Sequence, residues 1–236
     1  MNETEAYSSL SISPGTSVLA VVAHPDDESF GLGAVISALG ESGARVSVVC
    51  FTRGDASTLR GSTDDLGAQR TSELADAARV LGIERVELLD FQDGDLASVP
   101  TSTLVSLIRA IATDESTQML LTFDEGGLTG HPDHIAATAA ATAASRALGI
   151  PTLAWTLPQQ IALTLSSEFG TVFVGRSDDQ LDIRLTVNRD LQVKAAHCHP
   201  SQAVSGSPLW RRLELLGNNE WLRWLVAPTS INDEEA

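Results

Sequence analysis

The sequence has few cysteines, since Cys50 and Cys198 are the only two among its 236 residues. Two thiols exclude a disulfide framework and a zinc site built from four cysteines. Cys50 lies within an apolar run, which is typical of a buried thiol in a protein core. This use of cysteine favours a reduced, cytoplasmic location.

A targeting segment and long hydrophobic runs are also missing. Residues 1–15 (MNETEAYSSLSISPG) contain neither the basic region nor the apolar region of a signal peptide. The longest apolar runs, such as residues 18–23, are far too short to span a bilayer. We therefore expect a soluble cytoplasmic protein that does not act on a membrane, with residues 1–15 as a flexible tail.

Basic residues are scarce, with 15 Lys and Arg against 31 Asp and Glu, for a formal net charge of −16. This balance argues against a nucleic-acid partner or an anionic membrane surface, because phosphates select for clustered basic residues. Hydrophobic residues make up 43% of the chain, which is enough to bury a core and argues against disorder. The length suits one α/β domain, which we place over residues 1–236.

Short apolar runs alternate with segments of helical periodicity along the chain. The runs predict strands at residues 18–23, 46–51, 86–91, 119–123, 153–156 and 181–187. The periodic segments predict helices at residues 33–42, 68–81, 103–113, 132–148, 189–197 and 209–225. This alternation predicts a Rossmann-like α/β fold, with a mostly parallel sheet and helices on both faces.

Two polar clusters follow the first and fourth predicted strands. Residues 23–28 have the sequence AHPDDE, and residues 130–134 have the sequence GHPDH. Both clusters should meet at one edge of the sheet, because ligands of open parallel sheets bind beyond the carboxyl ends of the strands. Histidine and carboxylate side chains are natural ligands of a divalent metal such as zinc, and three such ligands with an open position would form a catalytic site.

The residues themselves leave the individual roles open. Asp26 and Asp27 are consecutive and must point in different directions, so one can bind the metal while the other acts as a free base. His131 and His134 are three residues apart on one helix face, so one can bind the metal while the other faces the bound molecule. Asp133 could hydrogen-bond one of the metal-binding side chains without binding the metal itself. Polar turns and helix caps are the alternative explanation of each cluster by itself.

The two clusters resemble the signature of the PIG-L/LmbE-like de-N-acetylases, which are zinc hydrolases that remove acetyl from N-acetylglucosaminyl groups. The resemblance covers most of the chain. Supporting matches lie at residues 52–55 (TRGD), 70–82, 89–94 (LDFQDG) and 198–202 (CHPSQ). It implies a Rossmann-like hydrolase with a metal site at the C-terminal ends of the strands, acting on a small soluble N-acetylglucosamine-type conjugate.

The resemblance also implies a role for each polar residue of the two clusters. His24, Asp27 and His134 become ligands of Zn²⁺, with Fe²⁺ or another divalent metal as alternatives. Asp26 becomes the general base that deprotonates the attacking water. His131 becomes the general acid that protonates the leaving amine or steadies the developing charge.

Candidate substrate contacts lie further along the same sheet edge. The polar segment 52–67 is long enough to be a lid over the site, with disorder as the alternative. Arg53 and Asp55 in this segment are expected to meet sugar hydroxyls. Asp93 could do the same, although a plain Asp-Gly turn explains it equally well. The resemblance places His199 near the site as a substrate contact or a supporting residue.

Two positions depart from the family pattern. Some sugar-deacetylating members have a catalytic tyrosine where this chain has Thr129, and relatives often have glutamate where it has Asp55. Thr129 is nevertheless a candidate substrate contact. The substrate of the best-known members therefore does not transfer directly to this chain.

Other functions fit the residues less well. The main alternative is an amidase of a thiol S-conjugate that uses the same metal centre. Two histidines and a carboxylate could also form the facial triad of a non-haem iron oxygenase, but the parallel pattern argues against that class. A sugar-binding protein without activity should lack the base or the acid, whereas Asp26 and His131 are both present. Residues 31–33 (GLG) lack the third glycine of a dinucleotide-binding loop.

Overall fold

Seven β-strands form one sheet in the computed structural model, which describes residues 10, 12–59 and 65–228. The strands are β1 (Ser17–Val22), β2 (Arg45–Thr52), β3 (Arg85–Phe91), β4 (Met119–Phe123), β5 (Thr152–Thr156), β6 (Ile183–Thr186) and β7 (Asn219–Val226). The helices are α1 (Asp27–Phe30), α2 (Gly33–Glu41), α3 (Leu66–Leu81), α4 (Thr101–Asp114), α5 (Gly127–Gly130), α6 (Pro132–Leu148), α7 (Gln159–Phe169), α8 (Asp190–His197) and α9 (Pro208–Leu216).

The strand order is β3-β2-β1-β4-β5-β7-β6. Strands β1 to β5 pair in parallel, whereas β7 is antiparallel to both β5 and β6. Strands β2 and β3 lie on one side of β1, and the chain then returns to place β4 on the other side of β1. This reversal between β1 and β4 creates the switch point at which such sheets bind their ligands. The predicted α/β fold with a mostly parallel sheet is confirmed.

The central strand β1 is buried along its whole length. Val18, Ala20 and Val22 belong to the core on one face of the sheet, together with side chains of α2, α3 and α8. Leu19 and Val21 belong to the core on the other face, together with side chains of α4 and α6. Both faces of β1 are therefore apolar, which explains its unbroken hydrophobic sequence.

Strand β4 and helix α6 have the predicted bounds, and the other predicted elements up to α8 begin and end within two residues of their predicted bounds. Helix α6 begins with Pro132 and ends at Gly149, whose φ of 69° is readily adopted by glycine. At 17 residues it is the longest of the described helices. None of the helices in the described ranges is both long and apolar enough to cross a membrane.

The predicted helix over residues 209–225 is wrong in its second half. Helix α9 ends at Leu216, and the chain then forms strand β7. Gly217 interrupts the helix, and β7 makes ladder hydrogen bonds to a strand on each side. These pairings outweigh the helical spacing of the leucine and tryptophan residues. Helix α7 was not predicted at all.

Two predictions fall partly on residues that the structure does not describe. Residues 1–9 and 11 of the predicted tail lie outside the described residues, as do residues 60–64 of the predicted lid. The choice between a lid and disorder for residues 52–67 therefore stays a prediction.

A buried ion pair connects β7 to the body of the protein. Glu220 is completely buried, and its carboxylate accepts hydrogen bonds from the Trp155 indole at 2.7 Å and from the Arg189 guanidinium. The guanidinium of Arg212, also buried, lies 4.9 Å from the centre of a Trp155 ring. Glu220 thus pairs with the half-buried Arg189, and its charge also favours the cationic form of the buried Arg212, whose pKa burial lowers to about 10.

We expect Glu220→Gln to lower the free energy of unfolding by about 3 kcal/mol, because it leaves Arg189 and Arg212 without their counter-charge. Equilibrium denaturation measures this loss. Glu168→Gln is the matched control, since Glu168 pairs with Arg211 on the surface and its loss should leave stability nearly unchanged. Equal losses in the two variants would contradict the account of the buried pair.

Candidate active site

The two predicted clusters meet at the switch point of the sheet. His24 follows β1, and His131 and His134 lie at the start of α6, beyond the end of β4. Because β1 and β4 are neighbours, His24 Nδ1 comes within 3.2 Å of His134 Nε2 although 110 residues separate them in the chain.

Potential metal-ligand atoms of His24, Asp27 and His134 lie close together. His134 Nε2 lies 3.1 Å from Asp27 Oδ1 and 3.2 Å from His24 Nδ1, whereas the 3.9 Å contact of His24 Nδ1 is to the other oxygen of Asp27, Oδ2. Ligand atoms of a tetrahedral zinc ion, at bond lengths of about 2.1 Å, are separated by roughly 3.4 Å. The two distances from His134 Nε2 fit this geometry.

Hydrogen bonds outside the cluster orient the lone pairs of both histidines. His24 Nε2 faces Asp93 Oδ1 at 3.0 Å and Asp133 Oδ2 at 3.2 Å, so this nitrogen carries the proton. His134 Nδ1 faces the Gly127 carbonyl at 3.2 Å and likewise carries the proton. With a metal ion bound, the other nitrogen of each ring would present its lone pair to that ion.

The two consecutive aspartates have different partners. Asp27 Oδ2 accepts the backbone amides of Ala23 at 3.1 Å and His24 at 2.9 Å, which leaves Oδ1 facing His134. Asp26 Oδ2 instead accepts a hydrogen bond of 2.9 Å from Arg70. Asp27 thus faces the two histidines, whereas Asp26 faces the cavity and a cation.

His131 differs from the other two histidines in its hydrogen bonding. The ring nitrogens of all three lie within 4.8 Å of one another. However, His131 Nδ1 caps helix α6 by accepting the Asp133 amide at 3.2 Å, so the ring proton lies on Nε2. Burial and the neighbouring His134 and His24 lower the pKa of His131, which favours the neutral ring. The Nε2–H group of neutral His131 is therefore a hydrogen-bond donor.

The charges around His24 favour a cation at this point. Burial lowers the pKa of His24, but Asp133, Asp93 and Asp27 outweigh that effect and raise the pKa to about 10. Burial likewise raises the pKa of Asp27, but His134 and His24 outweigh it and hold the pKa below its ordinary range. A divalent metal ion would supply the positive charge that these carboxylates stabilise.

Asp26 has the properties of a general base. It lines the same cavity as the two histidines. Burial raises the pKa of Asp26 to about 6, although Arg70 opposes the shift. A carboxylate with a pKa near neutrality can both accept a proton from water and release it again.

Asp133 orients the ring of His24 through a hydrogen bond on the side away from Asp27. It is fully buried, and its carboxylate accepts the amides of Gly94 at 2.8 Å and Leu96 at 3.0 Å while facing His24 Nε2. These bonds fix the carboxylate that orients the ring of His24.

We expect Asp133→Asn to weaken metal binding by about 10-fold to 100-fold, because the His24 ring loses the carboxylate that orients it. Competition with a chelating dye measures the affinity. Asp95→Asn is the control, because Asp95 is an exposed aspartate next to Gly94, whose amide binds Asp133. Wild-type metal affinity in Asp133→Asn would exclude this role.

A cavity of about 480 Å³ opens over the cluster. Its size is that of a small-molecule site. Its polar lining side chains include His24, Asp26, Asp27, Arg70, Asp93, Thr129, His131, His134 and Arg212. Its apolar lining side chains include Phe30, Phe123, Leu128, Phe173 and Leu209.

Three of the predicted substrate contacts lie elsewhere, whereas Asp93 and Thr129 line the cavity. Arg53 is held by Asp90, with Nε 2.6 Å from Oδ1, and does not line the cavity. Asp55 is exposed outside the cavity. His199 is completely buried, so a substrate cannot reach it. The substrate contacts of Arg53 and Asp55 stay predictions, and the burial of His199 fits the alternative of a supporting residue.

The sequence patterns missed Arg70 and Arg212 as cavity residues. Arg70 donates to Gly54 O at 2.6 Å and to the Pro25 carbonyl as well as to Asp26. A signal was present, since Arg70 and Glu73 lie at helical spacing from the buried Leu66 on α3. Charged residues on an apolar helix face indicate buried partners.

Comparisons with known proteins show the family of this chain. Residues 19–145 match the PIG-L family, described as GlcNAc-PI de-N-acetylase. The 1D-myo-inositol 2-acetamido-2-deoxy-alpha-D-glucopyranoside deacetylase of Mycolicibacterium vanbaalenii is 33% identical in an alignment that covers 85% of each chain. The structure of a zinc-inhibited teicoplanin deacetylase matches with a TM-score of 0.71 and 20% identity, over 91% of this chain and 100% of that chain.

The fold alone does not fix the reaction, because a 4-carboxy-2-hydroxymuconate hydratase from Pseudomonas putida has it too. That structure matches with a TM-score of 0.67 and 20% identity, over 92% of this chain and 99% of that chain. The family match and the deacetylase relative decide the class, which is that of metal-dependent hydrolases of N-acyl amide bonds. The chain belongs to the PIG-L family of de-N-acetylases.

Proposed function

We propose that this enzyme removes the N-acetyl group of a small N-acetylglucosamine-type conjugate. One observation carries the proposal: two histidine lone pairs and Asp27 converge beside Asp26 and His131 in a single cavity. The deacetylase of Mycolicibacterium vanbaalenii, whose name specifies a 2-acetamido sugar linked to inositol, supports this substrate class.

We propose His24, Asp27 and His134 as the metal ligands and Zn²⁺ as the metal, with Fe²⁺ as the alternative. The nitrogen and oxygen donors and their spacing support zinc. A bound Zn²⁺ ion would supply a Lewis acid for the amide carbonyl and lower the pKa of a water molecule to about 7.

Asp26 would take the proton of the attacking water. Its carboxylate is aimed by Arg70, which also holds the backbone on either side of the site through Pro25 O and Gly54 O. As the water oxygen bonds to the acyl carbon, the proton moves to Asp26. The raised pKa of Asp26 suits this transfer.

His131 would stabilise the negative charge that develops on the acyl oxygen. Its Nδ1 accepts the helix-cap hydrogen bond, so its Nε2–H remains as a hydrogen-bond donor among the residues that line the cavity. The proton that Asp26 has taken from the water then passes to the amide nitrogen, so that the C–N bond breaks and the amine leaves together with acetic acid, which ionises to acetate at neutral pH.

The mixed lining of the cavity suits an acylated amino sugar. Asp93, Thr129 and Arg70 offer hydrogen-bonding groups for sugar hydroxyls. Phe173 and Leu209 offer apolar surface for the acyl methyl group or an apolar aglycone.

We also propose a cytoplasmic location, which the free thiols of Cys50 and Cys198 support.

The test is a panel of N-acetylglucosamine conjugates incubated with the zinc-loaded and the iron-loaded enzyme. Release of primary amine and acetate in equal amounts is the expected result. A thiol S-conjugate of the mycothiol type belongs in the same panel, because its preferential cleavage would favour the amidase alternative. Release of neither product from any member of the panel would contradict the proposal.

A further inference from the structure

Asp26 has a backbone conformation that is rare for a residue with a side chain. Its φ is 116° and its ψ is −24°. Only three non-glycine residues in the described ranges have positive φ, and Asp26 is the one that follows the His24-Pro25 turn directly. Such a conformation persists only where the surroundings hold it, and strain of this kind is concentrated at functional sites.

Two contacts hold Asp26 from opposite ends. Arg70 binds its carboxylate and the preceding carbonyl of Pro25. Glu28 binds its backbone, because the Asp26 amide donates to Glu28 Oε2 at 2.9 Å. The amide bond fixes the rotation of the Asp26 backbone, and with it the direction in which the carboxylate leaves the chain.

Glu28 can serve this purpose only if its own position is fixed. Its side chain is completely buried, and its Oε1 lies 2.7 Å from His199 Nε2 and accepts the Ser29 hydroxyl at 2.5 Å. His199 is itself completely buried, 171 residues away in the chain. It belongs to the loop that follows α8.

The His199 side chain has one further hydrogen bond in the described part of the chain, because its Nε2 also lies 3.3 Å from the Ser29 hydroxyl that donates to Glu28. Its Nδ1 is buried without a hydrogen-bond partner, and the nearest carboxylate oxygen, Glu73 Oε2, is 4.0 Å away. Glu73 is occupied by Ser201, whose amide and hydroxyl donate to it at 3.1 Å and 2.5 Å. The contact of His199 with Glu28 is therefore its principal polar interaction.

We propose that Glu28 and His199 form a positioning pair, in which His199 fixes the Glu28 carboxylate so that it holds the Asp26 backbone and aims the base at the substrate. In this role the Glu28–His199 pair contacts neither the substrate nor the metal ligands. It acts only through Asp26. The inference rests on the proposed function of Asp26 as general base. It assigns a function to residues 198–202 (CHPSQ), which lie outside the residues that match the family.

The test compares His199→Leu, which removes the donor, with His199→Gln, whose amide can still donate to Glu28. We expect His199→Leu to lower kcat by about 100-fold, the effect of a displacement of about 1 Å at a reacting group, while KM and metal content stay near wild type. His199→Gln should recover most of kcat. If folded, metal-loaded His199→Leu keeps the wild-type kcat, or if KM alone changes, the proposal is wrong.

A second background shows whether His199 acts through Asp26. In Asp26→Asn, adding His199→Leu should cause almost no further loss of kcat, because the base that it positions is already absent. An equal 100-fold loss in both backgrounds would overturn the proposal. If His199→Leu does not fold, Glu28→Gln replaces it with the same readouts, since glutamine has nearly the same volume and loses one of the two acceptor oxygens.

A structure of the His199→Leu variant separates this inference from the proposed function. We expect the Asp26 backbone to leave the positive-φ region or its carboxylate to turn away from Arg70. An unchanged Asp26 would refute the pair even if the enzyme is an active deacetylase. Conversely, an inactive wild-type enzyme would refute the proposed function, while the structure of the variant would still decide the role of the pair.

Discussion

Replacing Asp26 by asparagine should lower kcat by about 10³-fold, within the range expected for loss of a general base, and should leave the metal in place. The reason lies in the different partners of the two aspartates. Asp27 faces His134 and His24, whereas Asp26 pairs with Arg70 and lines the cavity. Asparagine keeps the shape of the side chain but cannot accept the proton of the attacking water.

Steady-state kinetics and elemental analysis on the same preparation measure both effects. Asp90→Asn is the control for the same chemical change, since Asp90 pairs with Arg53 and its side chain is 77% exposed. It should retain wild-type turnover. Wild-type turnover in Asp26→Asn would remove Asp26 from the mechanism, and loss of metal in that variant would make it a ligand instead of a base.

Replacing His134 by alanine should remove most of the bound metal and nearly all turnover, because the site loses one of three ligands. His131→Asn should retain the metal, although its ring lies only 5.0 Å from that of His134. Asparagine preserves a side-chain acceptor for the helix cap but lacks the imidazole proton. We expect kcat to fall by about 10²-fold to 10³-fold in this variant through loss of the hydrogen-bond donor to the developing negative charge.

This pair of variants separates the two histidines of one helix turn. The distinction rests on hydrogen bonds, since His134 donates through Nδ1 to Gly127 and His131 accepts through Nδ1 from Asp133. Elemental analysis of the dialysed proteins is the measurement. Full metal content in His134→Ala, or loss of metal in His131→Asn, would reverse the assignment.

Most of the fold could be predicted because its central strands β1, β2, β4 and β5 are buried and several of its helices end at glycine. Strand β1 has an unbroken apolar sequence, and Gly82 and Gly149 end α3 and α6 in the left-handed conformation. The C-terminal segment could not be predicted in the same way. Its leucine and tryptophan spacing fits a helix, and only the pairing of β7 between β5 and β6 makes it a strand.

The sequence predicted the polar residues of the site better than their roles. The order of strands brings His24 and His134 together, and that much follows from two clusters after parallel strands. The choice between Asp26 and Asp27 depends on which carboxylate accepts the amides of the turn, and this is a property of the folded backbone.

Long-range partners explain the remaining errors and omissions. Arg70 is far from Asp26 in the chain, and His199 is still farther from Glu28. No local periodicity encodes such contacts, because they depend on how α3 and the loop after α8 pack against the start of α1. For the same reason the sequence could not show that His199 is buried away from the substrate.

The most direct test of the account is the metal dependence of amide hydrolysis. The purified protein is freed of metal with a chelator, mixed with an N-acetylglucosamine conjugate, and then given a stoichiometric amount of Zn²⁺ while amine and acetate are measured. We predict almost no product before the addition and equal release of amine and acetate after it. Equal turnover with and without metal, or no product with any divalent metal, would contradict the account.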